Sequence, residues 1–307
     1  MHPHKLKQAY ESGKNITGIL KQESNSNENS QIAIETAYDL QAGSYVKAIE
    51  NRKSLHHKQK YAGAIAKEIL SLTRPASIVE AGSGEGTTFS FVSNQLKIPK
   101  IVAHGFDISW SRIAWCRHWM STNWPERCHL SVASLDHLPY ADSSFDIVYT
   151  SHTIEPNGGK ELPLLQELYR ITSRYLILVE PGYELASEGA KERMESLGYF
   201  KGLPDNAAFL GMTVIDHKLL GIDANPLNPS AITIIEKNSD ATVKMPTFIC
   251  PNFGDDLLEY SDSFYSPMSL RAYPKILGIP CLRRRDAVIA SAYENFRLNH
   301  QSYSNEC

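Results

Sequence analysis

SIVEAGSGEGTTF, Ser77 to Phe89, runs from a short apolar stretch through an acid into glycines at three alternate positions, then into residues that can open a helix. Glycine accepts positive φ and leaves space where a side chain would stand. Gly82, Gly84 and Gly86 therefore mark a strand-to-helix turn whose backbone is open to close approach. The same rhythm repeats around it. ASIVEA precedes TTFSFVSNQL, KIVAHGFDI precedes WSRIAWCRHWM, and HLSVAS follows; FDIVYT precedes ELPLLQELYRI, RYLILVE precedes SEGAKERMESL, and MTVIDHKLL and SAITIIEK come late. Strand-like runs alternating with helical runs of about 10 to 15 residues predict an α/β fold with a doubly wound parallel sheet. YLILV, apolar without alternation, predicts a strand covered on both faces. Upstream, Ala62, Ile65, Ala66, Ile69 and Leu70 recur at helical spacing on one face, and Thr73-Arg74-Pro75 ends that helix.

The bulk composition sets limits. The chain has 307 residues, 42% of them apolar, enough for a large domain with a small module. With 31 basic against 34 acidic side chains the net charge is -3, which predicts no nucleic-acid partner. The dense basic cluster Arg283, Arg284 and Arg285 reads as a solvated surface run. No stretch reaches the ~18 consecutive apolar residues of a membrane span, and MHPHKLKQ lacks the apolar core of a secretion signal, so a cytoplasmic protein without a membrane partner is expected. Cys116, Cys128, Cys250, Cys281 and Cys307 are scattered and odd in number, which predicts reduced thiols.

The chemistry of the glycine turn follows from its acids. In open α/β sheets ligands lie beyond the carboxyl ends of the strands, where strand order reverses. A dinucleotide fingerprint, G-x-G-x-x-G, would place its third glycine at 87, which is Thr87. Glu80, two residues before the first glycine, is a poor neighbour for a pyrophosphate and a good one for a cation. S-adenosylmethionine is such a ligand, with a sulfonium, an ammonium and one carboxylate. Asp107 closes IVAHGFD, where a carboxylate can accept both hydroxyls of a ribose.

On these residues the chain resembles the class I methyltransferases that use S-adenosylmethionine, over roughly residues 60–237. Their E/D-x-G-x-G-x-G pattern stands here as Glu80-Ala81-Gly82-Ser83-Gly84-Glu85-Gly86, followed by Asp107 and Ile108, and SVASLDHLPYADSSFDIVYTSHTIEPN resembles their third and fourth strands. The resemblance implies a Rossmann-like, mostly parallel seven-stranded sheet. It implies a cofactor site of Glu80, Gly82, Ser83, Gly84, Gly86, Asp107, Ile108, Ser134, Leu135 and Ser151. Where the family usually has Gly-Asp this chain has Ala133-Ser134, so a hydroxyl replaces a carboxylate near the adenine. Methyl transfer to a hydroxyl or protonated amine needs a proton taken, and His152 and Glu155 after the fourth strand are the expected catalytic residues, ahead of Glu180, Tyr183 and Glu184. Tyr38 and Tyr45 are expected either in a lid or in the core. Trp110, Trp115 and Trp119 are expected in packing.

FICPNFGDDLLEYSDSFYSPMSLRAYPKILGIPCL resembles the small zinc-ribbon-like modules of the Trm112 type in Tyr273-Pro274-Lys275-Ile276 and Gly278-Ile279-Pro280, and in Cys250-Pro251. Phe253 stands at the second cysteine of the knuckle, and a closed zinc site needs four ligands, so a degenerate module without metal is expected. The expected organisation is a flexible extension over residues 1–35, including the polar QESNSNENSQ, then the methyltransferase domain over 36–238, a polar linker NSDATVK, and a β-rich module over 245–300. The acceptor is expected to be a small molecule taking methyl on O or N. Similar arrangements in surface-glycan biosynthesis point to a sugar or sugar acid. Two rival readings stand beside this one: a catalytically silent cofactor-binding partner or sensor, and an NAD-dependent oxidoreductase, against which Thr87 and Glu80 speak.

Overall fold

The computed structural model describes residues 3–24, 30–124, 128–237 and 245–297. The chain begins with α1 (Pro3–Glu11), α2 (Ile16–Ser24), α3 (Gln31–Leu40), α4 (Ser44–Ala48) and the long α5 (Arg52–Leu72). Then come β1 (Ser77–Ala81), α6 (Thr87–Leu96), β2 (Val102–Asp107), α7 (Trp110–Asn123), β3 (Cys128–Val132) and β4 (Phe145–Ser151). They are followed by α8 (Glu161–Ile171), β5 (Thr172–Pro181), α9 (Glu188–Leu197), α10 (Leu203–Phe209), β6 (Thr213–Leu219) and β7 (Ser230–Glu236). The module adds β8 (Leu258–Glu259), β9 (Ser263–Ser266), β10 (Arg271–Ile276), β11 (Ile279–Pro280) and β12 (Val288–Ile289).

The main sheet has seven strands in the order β3-β2-β1-β4-β5-β7-β6, parallel except that β7 runs antiparallel to β5 and β6. Alternation along each strand divides its side chains between two buried faces. Ile78, Ile147, Tyr149, Ile177, Val179, Ile232 and Ile234 face α5, α6 and α7. Val79, Ala81, Val148, Leu176, Leu178 and Ile235 face α8 and α10. Strand order reverses between β1 and β4, so the chain leaves both strands at one crevice.

Several expectations change. Of the expected extension over residues 1–35, residues 1–2 and 25–29 lie outside the described residues; elsewhere in it α1, α2 and the start of α3 form helices, and Leu6 and Ile16 are buried with Ala37. Their few apolar residues are too sparse to show as a pattern in a polar sequence. Helix α5 begins at Arg52, nine residues before its apolar face, because Asn51 caps it by accepting from the Lys53 and Ser54 N–H groups. Leu70 lies off that face and is exposed. Trp115 is 40% exposed, its ring against Gly43. Residues Asn238 to Lys244 of the expected linker, Leu298 to His300 of the module and Cys307 lie outside the described residues.

The module is β-rich, with five short strands. Cys250, Phe264, Tyr273 and Leu282 form its buried centre, where Cys250 Sγ lies 3.2 Å from the Tyr273 hydroxyl. Among the described residues no group of three or more His, Cys, Asp or Glu could hold a metal ion. Arg284 and Arg285 of the arginine run are exposed, but Arg283 is not. The Arg283 side chain is 15% exposed, pairs with Asp286 at 2.8 Å, donates to the Ile108 carbonyl at 3.1 Å and reaches Glu35 on α3. Arg285 also pairs with Glu35. Among the described residues no helix is long and apolar enough to cross a membrane.

Candidate active site

The glycine turn stands at the crevice, and its three glycines do different work. Gly82 has φ +69°, and a Cβ there would lie 2.1 Å from Thr153 Cγ2, so the turn after β1 and the turn after β4 touch backbone to side chain. Gly86, φ +76°, caps α6, and its Cβ would meet Cys116 Sγ at 2.7 Å. Gly84 is different: its nearest obstacle is the end of the Arg112 side chain at 3.3 Å, so this backbone stays open. Two of the glycines thus make room for the protein itself and one for a ligand.

A cavity of about 920 Å³ opens at this crevice. That is ample for a nucleoside-sized ligand with a second small molecule. Of the expected cofactor residues, Glu80, Gly82, Ser83, Gly84, Asp107, Ile108, Ser134, Leu135 and Ser151 line it, and Gly86 does not. Of the expected catalytic pair, His152 lines it and Glu155 stands behind. Glu180, Tyr183 and Glu184 do not line it. Glu180 instead accepts from the Thr153, Ile154 and Glu155 N–H groups at 3.0 to 3.3 Å and fixes the turn, while Tyr183 donates to Glu195.

Each acid of the cavity has a fixed setting. Glu80 is buried under the crevice and accepts from the Tyr149 hydroxyl at 3.0 Å. Burial pushes its carboxyl up to about 8, against the opposing pull of Tyr149 and Lys58. Asp107 accepts from the Gly84 N–H at 3.1 Å and from the Ser109 N–H at 2.9 Å. The Ile108 N–H also bonds it, and a carboxylate has about four acceptor positions, so capacity for a further donor remains. Burial raises Asp107, and Arg112 works against that rise. Glu85 accepts from the Gly43 and Val46 N–H groups at 3.0 and 2.8 Å, which ties the segment between α3 and α5 to the glycine turn.

That segment roofs the cavity with Gln31, Ile34, Tyr38, Tyr45, Ala48 and Ile49. Arg112, 4% exposed, is its strut: the guanidinium sits 4.6 and 4.8 Å from the Tyr38 and Tyr45 ring centres, and Nε donates to the Tyr38 carbonyl at 3.0 Å. Asp39 accepts from Ser109 and Ser111 and pins α3 to the start of α7. Gln31 reaches over to the Ser134 hydroxyl. Beside Ser134, Asp136 also lines the cavity and brings a carboxylate to the region where position 134 lacks one.

His152 is held from three sides. Its backbone adopts φ +54°, an uncommon conformation that the Glu180 contacts to the following N–H groups enforce. Its Nδ1 lies 2.8 Å from Glu155 Oε2 and its Nε2 2.9 Å from Ser230 Oγ. A carboxylate only accepts, so Nδ1 carries a proton and Nε2 is the basic nitrogen. Burial lowers the basicity of His152, but the Glu155 hydrogen bond and the Glu155 and Glu180 charges outweigh it and leave the imidazole above its ordinary range. Tyr61, from α5, sets its hydroxyl 3.1 Å from Ser151 Oγ and its ring 6.3 Å from His152. Lys58, one turn earlier, donates to Thr88 Oγ1 at 3.1 Å.

Sequence reasoning passed over Lys58, Tyr61, Arg112 and Asn228. Tyr61 carried a usable signal, since it opens the face of the predicted helix, and Lys58 lies one turn before it. Arg112 and Asn228 carried none, because their roles depend on elements far away in the chain.

Residues 78–174 match the model of a family described as a methyltransferase domain. No curated protein sequence matches the chain. Among solved structures, magnesium protoporphyrin IX methyltransferase from Synechocystis PCC 6803 with bound SAH is 12% identical and covers 68% of this chain and 100% of its own, at a TM-score of 0.52. An SAM-dependent methyltransferase from Aquifex aeolicus is 14% identical and covers 56% of this chain and 88% of its own, at 0.42. The first likeness shows a shared fold, the Rossmann-like seven-stranded sheet.

Proposed function

We infer that this chain, which carries a methyltransferase domain over residues 78–174, is an S-adenosylmethionine-dependent methyltransferase acting on a small-molecule acceptor. The observation that carries the cofactor reading is the cavity at the strand-order reversal. It combines an open Gly84 backbone with two buried acids, Glu80 and Asp107, beside the glycine turn. Asp107, with acceptor capacity left, suits a ribose hydroxyl. Asp136 and the Leu135 N–H suit an adenine edge. Glu80 suits a cationic methionine end, and Lys58 beside Thr88 suits its carboxylate.

Bound S-adenosylmethionine would supply an activated methyl group, whose bond to sulfur breaks with the electron pair staying on sulfur as the acceptor atom forms the new bond. The protein's own part is alignment and proton removal. His152 Nε2 exchanges its bond to the Ser230 hydroxyl for one to the acceptor and takes the acceptor's proton, Glu155 holds the ring and stabilises the imidazolium, and the roof of α3 and α4 excludes water. The degenerate Trm112-like module acts in cis by bracing that roof through Arg283 and Glu35. The acceptor atom is O or N, and among small molecules a sugar or sugar acid fits a hydroxyl offered to a histidine base.

The test is calorimetric titration with S-adenosylhomocysteine, with NAD as control. Saturable binding of the first and none of the second is expected. Binding of NAD alone, or of neither, removes the reading.

A further inference from the structure

On the α5 side the cavity is lined by two lysines and a histidine. Lys53, His57 and Lys58 lie along one face of α5, and Tyr61 continues that face to His152. Each neighbouring carboxylate already accepts a hydrogen bond. Asp223, in the loop between β6 and β7, accepts from the Ser230 N–H at 2.7 Å. Glu155 holds His152, and Glu180 holds the turn after β4. Burial keeps Glu80 protonated up to about 8. A cofactor with one carboxylate supplies one anionic group, which Lys58 and Thr88 suit. Lys53 and His57 line the same cavity with no anion assigned to them. A second observation points the same way: Asn228 lines the cavity, and its Oδ1 is buried without a hydrogen-bond partner. A buried acceptor atom of this kind calls for a donor such as a hydroxyl.

We propose that the methyl acceptor is a hydroxylated small molecule carrying an anionic group, a carboxylate or a phosphate. Lys53 and His57 hold the anion, and Asn228 accepts from a hydroxyl of the same molecule. The proposal rests on the methyltransferase reading of this cavity. Lysine brings a full positive charge and histidine an N–H, one helical turn apart, which suits two oxygens of one anionic group. A neutral polyol would leave the Lys53 charge without a counterpart, and a cationic acceptor would meet repulsion from Lys53 and Lys58. At His152 a hydroxyl oxygen forms its bond to the methyl carbon and gives its proton to Nε2. The carbon–sulfur pair stays on sulfur, and the product is a methyl ether that keeps its anionic group.

The experiment uses the 307-residue chain saturated with S-adenosylhomocysteine, titrated calorimetrically with glucuronate, glucose 6-phosphate and glucose. The expected result is saturable binding of at least one anion, tenfold or more tighter than glucose and weakened severalfold in Lys53→Gln and His57→Gln. Which anion binds separates carboxylate from phosphate. The S-adenosylhomocysteine Kd of each variant serves as the control for folding. Three outcomes overturn the proposal: glucose binding as tightly as either anion, anion binding indifferent to both substitutions, or no saturable binding of any of the three. Failure of S-adenosylhomocysteine itself to bind is a different result, which removes the cofactor reading and the acceptor proposal with it.

Discussion

The fold shifts the ionisation of both Glu80 and His152, which the proposed chemistry uses. Glu80 titrates at about 8 when folded and near 4.3 when unfolded, so between those values the folded protein holds one more proton at this site. Its contribution to stability is therefore full below about pH 4.3 and is lost as pH rises towards 8. A bound cation works the other way, because it favours the carboxylate. S-adenosylmethionine affinity is expected to rise severalfold from pH 6.5 to 8.5, and Glu80→Gln to flatten that rise, as checked by calorimetry across a pH series. A flat profile in the wild type would contradict this role for Glu80. For His152 the sign is set by Glu155. Methyl transfer needs the neutral imidazole, so the rate should climb with pH through a value above the ordinary 6.5. Glu155→Gln removes the charge that raises it, so the profile should move to lower pH while the maximal rate falls by roughly ten- to a hundredfold. A pH–rate profile of both proteins checks it, and cofactor binding should be spared because Glu155 does not line the cavity.

At the level of elements, the site is an agreement between three pieces of chain: the turns after β1 and β4, the roof of α3 and α4, and the module. Gly82 and Thr153 lock the two turns together, and Glu85 and Arg112 fasten the roof to them. The module reaches the same roof through Arg283, which joins Glu35 on α3 to the Ile108 carbonyl beside Asp107. Removing that guanidinium leaves Glu35 and the half-buried Asp286 without it, a loss larger than that of an exposed pair. Arg283→Ala is expected to speed S-adenosylhomocysteine release about three- to tenfold and to lower the Tm by a few degrees. Arg285→Ala, at a side chain 41% exposed, should do markedly less. Stopped-flow dissociation and thermal melts of the two variants decide between a brace and an incidental contact; equal, negligible effects would show the latter.

Across the whole molecule, the sheet was legible because its signal is local: each of its strands announces itself within ten residues, whereas the short helices α4 and α10 do not. The glycine turn and the turn after β4 were legible for the same reason, being short connections between such elements. What could not be read was assembly. Arg283 and Glu35 are 248 positions apart, so the arginine run looked like a solvated face until α3 arrived beside it. Arg112 became a strut only once Tyr38 and Tyr45 closed on it, and α1 and α2 carry too few apolar residues to betray that they pack on α3. The module's place in the assembly has a consequence for the isolated domain. β3 is an edge strand of the main sheet, and Leu282 donates to the Val132 carbonyl at 2.8 Å along that edge. Ile279 and Cys281 cover Ile113 and Val132, and Phe248 packs on Tyr140. An uncovered edge with exposed apolar side chains pairs with other chains. A chain ending at Lys237 is therefore expected to associate and to lose most of its soluble yield, where the full chain stays monodisperse in light scattering. Placing a lysine at Val132 within the truncated chain should restore solubility in part, because a charge on the edge opposes pairing. A truncated domain as monodisperse as the full chain would show that the module does not guard this edge.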